Sequence, residues 1–370
     1  MLNPDTGTQC RYRDARRADR RIGGAGPALF GQPSGGILAM KVMRSFFGAA
    51  TIIALLSLAS LTHAQPVTLR IGSAFGAEHT SSKAMEVFKT ELARQSQGSI
   101  DVELFPDMKL GGAKELIDEV HAESMFATWV GVAFVSKLVP EVEAVSLPFV
   151  FKDYDHAMRA VDGTVGKLIE AKLSAKGFTA LAWMELGARH VTNSKRPLRT
   201  LNDFKGLKIR MQPVETHLAA FRALGASPVA MDIKDVYVAL QQGHIDGQEN
   251  PYSVIHANKY FESQKYLSDT GHILDLIVLI ANKRTFMDLA PEQQRAIRDA
   301  ARIASFQQRK MAAEGEAAAL AELKAAGMQF DPLPRATRVA LREATSGVID
   351  GVRKRAGAEL VDKVVAEGRR

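Results

Sequence analysis

The chain has 370 residues, 46% of them apolar and 24% charged, with a single cysteine and a formal net charge of +7. The length suggests about two domains. The composition is ordinary for a soluble globular protein and excludes fibrous, disulfide-rich and wholly disordered classes.

The basic excess sits at the start. Residues 1–39 carry Arg11, Arg13, Arg16, Arg17, Arg20 and Arg21 among Gly, Pro and Ala without helical or strand period. They read as translated upstream sequence or a disordered extension. A nucleic-acid-binding arm is the alternative, but an export signal follows directly. Residues 40–64 carry that signal. Lys41 and Arg44 form a basic start, Phe46 to Leu61 an apolar run, and Leu61 to Ala64 a cleavage site with small residues at the recognition positions. Met40 or Met43 is then the true start rather than Met1. Cleavage after Ala64 leaves 306 residues. The leader holds eight of the 48 Lys/Arg and three of the 41 Asp/Glu, so the mature net charge is +2, and Cys10 leaves with it. No argument for a nucleic-acid partner survives, and the expected location is the periplasm. A domain of this size builds its core without disulfides.

The mature chain begins with a strand, Val67 to Ala74, and a loop, Gly76 to Thr80. A helix follows with Ala84, Phe88 and Leu92 on one face and Gly98 as its stop. Ile100, Val102 and Leu104 alternate as the next strand. Leu110-Gly111-Gly112 turns into a helix bearing Leu116, Ile117 and Val120, and Phe126 to Val130 is a buried strand. Strand, helix, strand, helix, strand is the grammar of a parallel sheet with crossover helices, so the fold class is α/β. Pro140 and Pro148 bracket an extended apolar segment, Ala144 to Val150. A helix from Asp153 carries Ala157, Val161, Val165 and Leu168, and Phe178 to Glu185 is a strand.

Leu207 to Gln212 reads as a short strand ended by Pro213, with Leu207, Ile209 and Met211 on one face and Lys208, Arg210 and Gln212 on the other. The helix after it presents Leu218, Phe221 and Leu224 and stops at Gly225. An arginine near a strand end, just before a helix, projects into the crevice where open α/β sheets bind ligands. Its planar guanidinium matches a carboxylate. An ion-paired surface arginine is the plainer alternative. Val229 to Leu240 gives a strand and a helix started by Asp232. Gly243 to Pro251 is a polar loop, and Ile273 to Ala281 a continuous apolar strand buried on both faces. Met287 to Lys324 is long helix, and the remainder is helical with a break at Pro332 and Pro334.

No positive signal for catalysis appears. The mature chain lacks cysteine, G-x-S-x-G, H-E-x-x-H, a P-loop and a G-x-G-x-x-G after a strand, and its histidines are scattered. No catalytic residue, metal site or cofactor is expected. A binding role leads.

Several stretches then resemble one family. They are Pro106 with Leu110-Gly111, Leu147 to Phe149, Arg189 with Thr192-Asn193, Asp203 to Arg210, Gly225 to Pro228, Asp235 to Gln241, and Asp246 to Pro251. In this order and spacing, from about Thr68 to Leu333, they resemble the periplasmic solute-binding proteins of TRAP transporters, the C4-dicarboxylate-binding, DctP-type family. The resemblance implies two α/β lobes with a hinge and a long lobe-spanning helix, closing over an organic acid. We expect residues 66–187 plus 276–315 to form lobe I and 188–275 plus 316–370 lobe II.

The resemblance further implies that Arg210 clamps the ligand carboxylate with help from Arg189 and Asn250, while Gln248 and Glu249 hold the loop. A carboxylate leaving water must regain strong hydrogen bonds, which a bidentate arginine and a second cation supply. Asn250 before Pro251 is also an ordinary turn residue. In the sialate-binding branch an acidic residue and an arginine stand where Gly131 and Phe134 stand here, which argues against a nine-carbon acid. Trp129 and Phe134 are candidate apolar walls or plain core aromatics. Glu78 and His79 are candidate contacts for a ligand hydroxyl, or helix N-terminal polarity. The resemblance implies no reaction, a monomer, and delivery to the small and large integral membrane components of a permease. A hydroxy- or keto-monocarboxylate is the expected ligand. A C4-dicarboxylate, or a role in a sensory system, is the alternative.

Overall fold

The computed structural model describes residues 66–368. The expected extension (1–39) and signal peptide (40–64) lie outside them. The described chain opens with β1 (Val67–Ser73), α1 (Thr80–Gln95), β2 (Ile100–Phe105), α2 (Ala113–His121), β3 (Ala127–Gly131) and a single turn, α3 (Val132–Val135). β1 lies between β2 and β3 and runs parallel to both, as the crossover pattern predicts. Ala84, Phe88 and Leu92 of α1 are fully buried, so the four-residue spacing is the core face.

The segment expected to be extended, Ala144 to Val150, is so only in part. Its first residues end a 3-10 helix, Pro140–Ser146, because Pro140 at the first turn presets a helical φ, and Leu147 after it is extended. The helix after Asp153 is two helices, α4 (Tyr154–Asp162) and α5 (Thr164–Ala175), with Gly163 between them. Asp153 caps the first by accepting from the His156 amide at 2.9 Å.

β4 (Phe178–Ala188) ends one residue before β5 (His190–Asn193), and the chain changes sheets there. β6 (Lys208–Met211), α6 (Glu215–Ala223), β7 (Ser227–Ala230) and α7 (Ile233–Gln241) follow, with Asp232 capping α7. The expected polar loop at 243–251 contains a strand, β8 (Gly247–Asn250), all four residues buried. It lies inside the sheet between β5 and β6. A side chain at Gly247 would stand 2.1 Å from the Thr192 carbonyl, so only glycine lets β5 approach. α8 (Tyr252–Ala257) and β9 (Tyr266–Asp269) precede β10 (Leu274–Asn282), which returns the chain to the first sheet. Then come α9 (Lys283–Met287), the long α10 (Pro291–Ala325), β11 (Gln329–Pro332), α11 (Arg335–Ala344), α12 (Val348–Ala356) and α13 (Ala358–Glu367).

Two lobes result. One sheet has the order β2-β1-β3-β10-β4 and the other β11-β9-β5-β8-β6-β7. The first is mixed rather than all parallel, because β10 is antiparallel to both β3 and β4. The two strand crossovers bond to each other: the Arg189 amide donates to Ile273 O at 2.9 Å, and the His272 amide to Arg189 O at 3.3 Å.

α10 is the third connection. Buried Gln308 accepts from the Glu185 amide at 3.0 Å and donates to Glu185 O at 2.7 Å, which ties the helix to β4. Two turns on, Glu316 accepts from the amides of Tyr252 and Ser253 at the start of α8. α12 and α13 pack on Pro140–Ser146 and on α4 and α5, and α12 also packs on α6 of the second lobe. Val352, Leu360, Val361 and Val364 are apolar faces that join the core containing Val142 and Val145.

Candidate ligand-binding site

Two arginines lie completely buried where the lobes meet, and they are satisfied in opposite ways. Arg189 stands at the β4–β5 crossover. Its Nε donates to Glu249 Oε2 at 2.5 Å, its Nη2 to Glu249 Oε1 at 2.8 Å, and its Nη1 to Asp275 Oδ2 at 2.7 Å. Nη2 also meets the Glu249 carbonyl at 2.6 Å and Asn250 Oδ1 at 3.0 Å. Arg189 is therefore a neutralised cation held bidentately. Burial alone would weaken its protonated form, but Glu249 and Asp275 raise its pKa above the ordinary arginine value. The pair works both ways. Burial opposes the Glu249 charge, yet Arg189 and His272 hold its carboxyl well below the usual range.

Arg210 is the other case. It sits on β6 opposite Val229 of the parallel β7, so its side chain reaches the residues just past the end of β7. Nε and Nη2 both donate to the Met231 carbonyl, at 2.9 and 2.7 Å, and Nη1 is buried with no hydrogen-bond partner. Among the described residues it makes no ion pair. Burial lowers its pKa to about 10, offset in part by Tyr260 and Glu249. A buried cation facing only a carbonyl dipole is costly, and an incoming anion relieves the cost.

A cavity of about 30 Å³ opens beside Arg210. Gln212, Asp232 and Asn250 are its other polar lining, with Phe134 and Phe75 among the apolar walls. It shares Ala74, Phe75, Ile233 and Val254 with a wider cleft of about 760 Å³.

The sequence-predicted residues divide on this geometry. Arg210, Asn250 and Phe134 line the inner cavity. Asn250 donates to Gln248 Oε1 at 2.6 Å while accepting from Arg189, so its amide is fixed in place. Arg189 does not line the cavity, and its donors already face Glu249, Asp275 and Asn250. Trp129 is fully buried in the first lobe, edge-on to Phe88 at 6.3 Å, which makes it a core aromatic rather than a wall. Glu78 and His79 border the wider cleft. Glu78 is exposed and pairs with Lys83 at 3.4 Å. His79 caps α1, accepting from the Ser81 amide at 3.1 Å and stacking on Phe75. Burial and Lys83 lower its pKa to about 4.

The sequence missed three participants. Glu249 is the bidentate partner of Arg189, more than a loop support. Asp275 lies in a run read as purely apolar. Gln212, 4% exposed and lining the cavity, stands two residues after Arg210, and that alternation was the available signal.

Residues 71–355 match the family model described as bacterial extracellular solute-binding protein, family 7. The chain belongs to this family. Its solved relatives include TRAP periplasmic solute-binding proteins, and its members are binding components of transport rather than enzymes. The chain is 35% identical over 280 residues to the 2,3-diketo-L-gulonate-binding periplasmic protein YiaO of Escherichia coli, covering 76% of this chain and 85% of that one. It is similar in fold to the sugar acid binding protein of Advenella mimigardefordensis solved with galactonate, with TM-score 0.79 and 30% identity over 82% of this chain and 98% of that one. A TRAP solute-binding protein of a Polaromonas species bound to D-erythronate gives TM-score 0.77 and 34% identity, covering 81% and 98%. Two lobes and a long spanning helix are thus features this chain shares with its solved relatives.

Proposed function

We propose that this solute-binding protein takes up a small hydroxy- or keto-monocarboxylate whose carboxylate docks on Arg210. The loaded protein then hands it to the small and large integral membrane components of a TRAP permease. The observation that carries the reading is the contrast between the two buried arginines. Arg189 already has its anions, and Arg210 has a free Nη1 turned toward a cavity. A carboxylate placed there regains charge-assisted hydrogen bonds lost with its hydration shell.

Asn250 lines the same space and completes the polar end, and Phe134 and Phe75 supply apolar contact for the carbon chain. Glu78 and His79 border the wider cleft, where the far end of the ligand would lie. Arg189 acts one step back by fixing Asn250 and both crossover strands. Arg210 is the one cation lining the inner cavity among the described residues, which favours one carboxylate over two. Closing the lobes about the two crossovers would bury the acid and form the surface that the permease reads.

A thermal-shift screen against an organic-acid library tests this. Ligand at a hundred times its dissociation constant adds about 2.7 kcal/mol of stability. Monocarboxylates with hydroxyl or keto groups should raise the melting temperature. A screen in which only neutral or cationic solutes stabilise the protein contradicts the reading.

A further inference from the structure

We propose that Gln212 makes this site select a hydroxylated acid, its side-chain carbonyl accepting a hydrogen bond from a ligand hydroxyl within the first few carbons of the carboxylate. The inference rests on the reading that Arg210 holds that carboxylate.

Gln212 follows β6 directly and stands two residues after Arg210, so alternation along extended chain turns both to the same side. Both line the inner cavity. The amide orientation is fixed by its neighbour across the lobes. Gln212 Nε2 lies 3.4 Å from Asp275 Oδ2, an oxygen that already accepts from Arg189 Nη1. The nitrogen of Gln212 therefore faces that acceptor, and its oxygen points away.

That oxygen, Oε1, is buried and has no hydrogen-bond partner. A buried acceptor without a donor is unfavourable, and the other lining residues do not supply one. Asn250 Nδ2 donates one hydrogen to Gln248 and makes no bond to Gln212. Asp232 is a carboxylate that accepts from the Lys234 amide. The remaining walls are apolar or glycine, apart from Arg210 itself. The site thus presents a spare donor, Arg210 Nη1, and a wholly unbonded acceptor, Gln212 Oε1, with the Asp232 carboxylate as a further acceptor beside them. A carboxylate with a nearby hydroxyl matches both. A keto acid or an unsubstituted acid matches only the first, and sites built to bond a hydroxyl strongly reject analogues lacking it.

The test uses two four-carbon monocarboxylates, D-erythronate and butyrate, titrated calorimetrically into the wild type, Gln212→Met, Gln212→Leu and Arg210→Ala. We expect the erythronate-over-butyrate affinity ratio to fall by about tenfold or more in either Gln212 variant, with butyrate changed less than about twofold. Arg210→Ala should weaken both acids. A ratio unchanged in the folded Gln212 variants overturns the role of Gln212 and leaves Arg210 untouched. Unweakened binding in Arg210→Ala overturns the carboxylate clamp itself, and a wild type that binds neither acid at millimolar concentration overturns both.

Discussion

Arg189 and Arg210 are both fully buried guanidinium groups, and only Arg189 is met by carboxylates of the protein. Glu249 and Asp275 neutralise it, whereas Arg210 meets the Met231 carbonyl and leaves Nη1 without a partner. One arginine is therefore paired within the protein, and the other keeps a buried Nη1 that the proposed carboxylate would meet.

The two arginines should respond oppositely to removal. Arg189→Met strands Glu249 and Asp275 as buried charges and should destabilise the ligand-free protein by about 3–5 kcal/mol. Arg210→Met removes an unpaired charge and should leave ligand-free stability unchanged or raised. Urea unfolding of both variants without ligand checks this, and equal destabilisation would contradict it.

Trp129→Phe should report on packing alone. The indole sits in the core against Phe88, away from the cavity. Shrinking it should cost about 1–3 kcal/mol. Ligand affinity, measured by calorimetry, should stay within about twofold. A larger affinity loss would return Trp129 to the ligand wall.

Gly247→Ala probes the β5–β8 contact that positions Asn250 and Glu249. The added carbon would meet the Thr192 carbonyl at 2.1 Å, so the backbone must move. We expect a loss of about 2 kcal/mol or more and weakened ligand binding together. A variant with wild-type stability and affinity would contradict the tight strand approach.

Acid should destabilise the protein partly through His217. Both ring nitrogens are buried without a partner, and burial lowers the pKa to about 3. Between that value and the ordinary imidazole value the unfolded chain binds the extra proton, so stability rises with pH across the window. It is complete above about pH 6.5 and is lost on acidification, with a slope approaching about 1.4 kcal/mol per pH unit. Glu249, whose pKa is also depressed, acts with the same sign at lower pH. Denaturant unfolding at pH 7, 6 and 5 should show a shallower fall in His217→Phe than in wild type. Parallel curves would remove His217 from the account.

Much of the fold was legible because its signals are local. The spacing of Ala84, Phe88 and Leu92 specified α1, and the run from Ile273 specified a doubly covered strand. Arg210 was legible as well, since a cation at a strand end before a helix is a short-range pattern. β8 was not: Gly247-Gln-Glu-Asn250 has no apolar residue to mark a period. It is a strand because β5 and β6 flank it and because Arg189 and Thr192 satisfy its buried side chains. The role of Asp275 was hidden for a similar reason. One carboxylate at the start of an apolar strand acquires meaning only when Arg189, 86 residues earlier in the chain, folds onto it. Trp129 reads alike as core or pocket wall in sequence, and only tertiary placement separates the two.

The most direct measurement is a crystal structure of the protein with the acid that stabilises it best. The account predicts a carboxylate oxygen about 2.7–3.0 Å from Arg210 Nη1, with Asn250 and Gln212 around the same end of the ligand. A carboxylate bound elsewhere in the cleft, with Arg210 still bonded only to Met231, would contradict it.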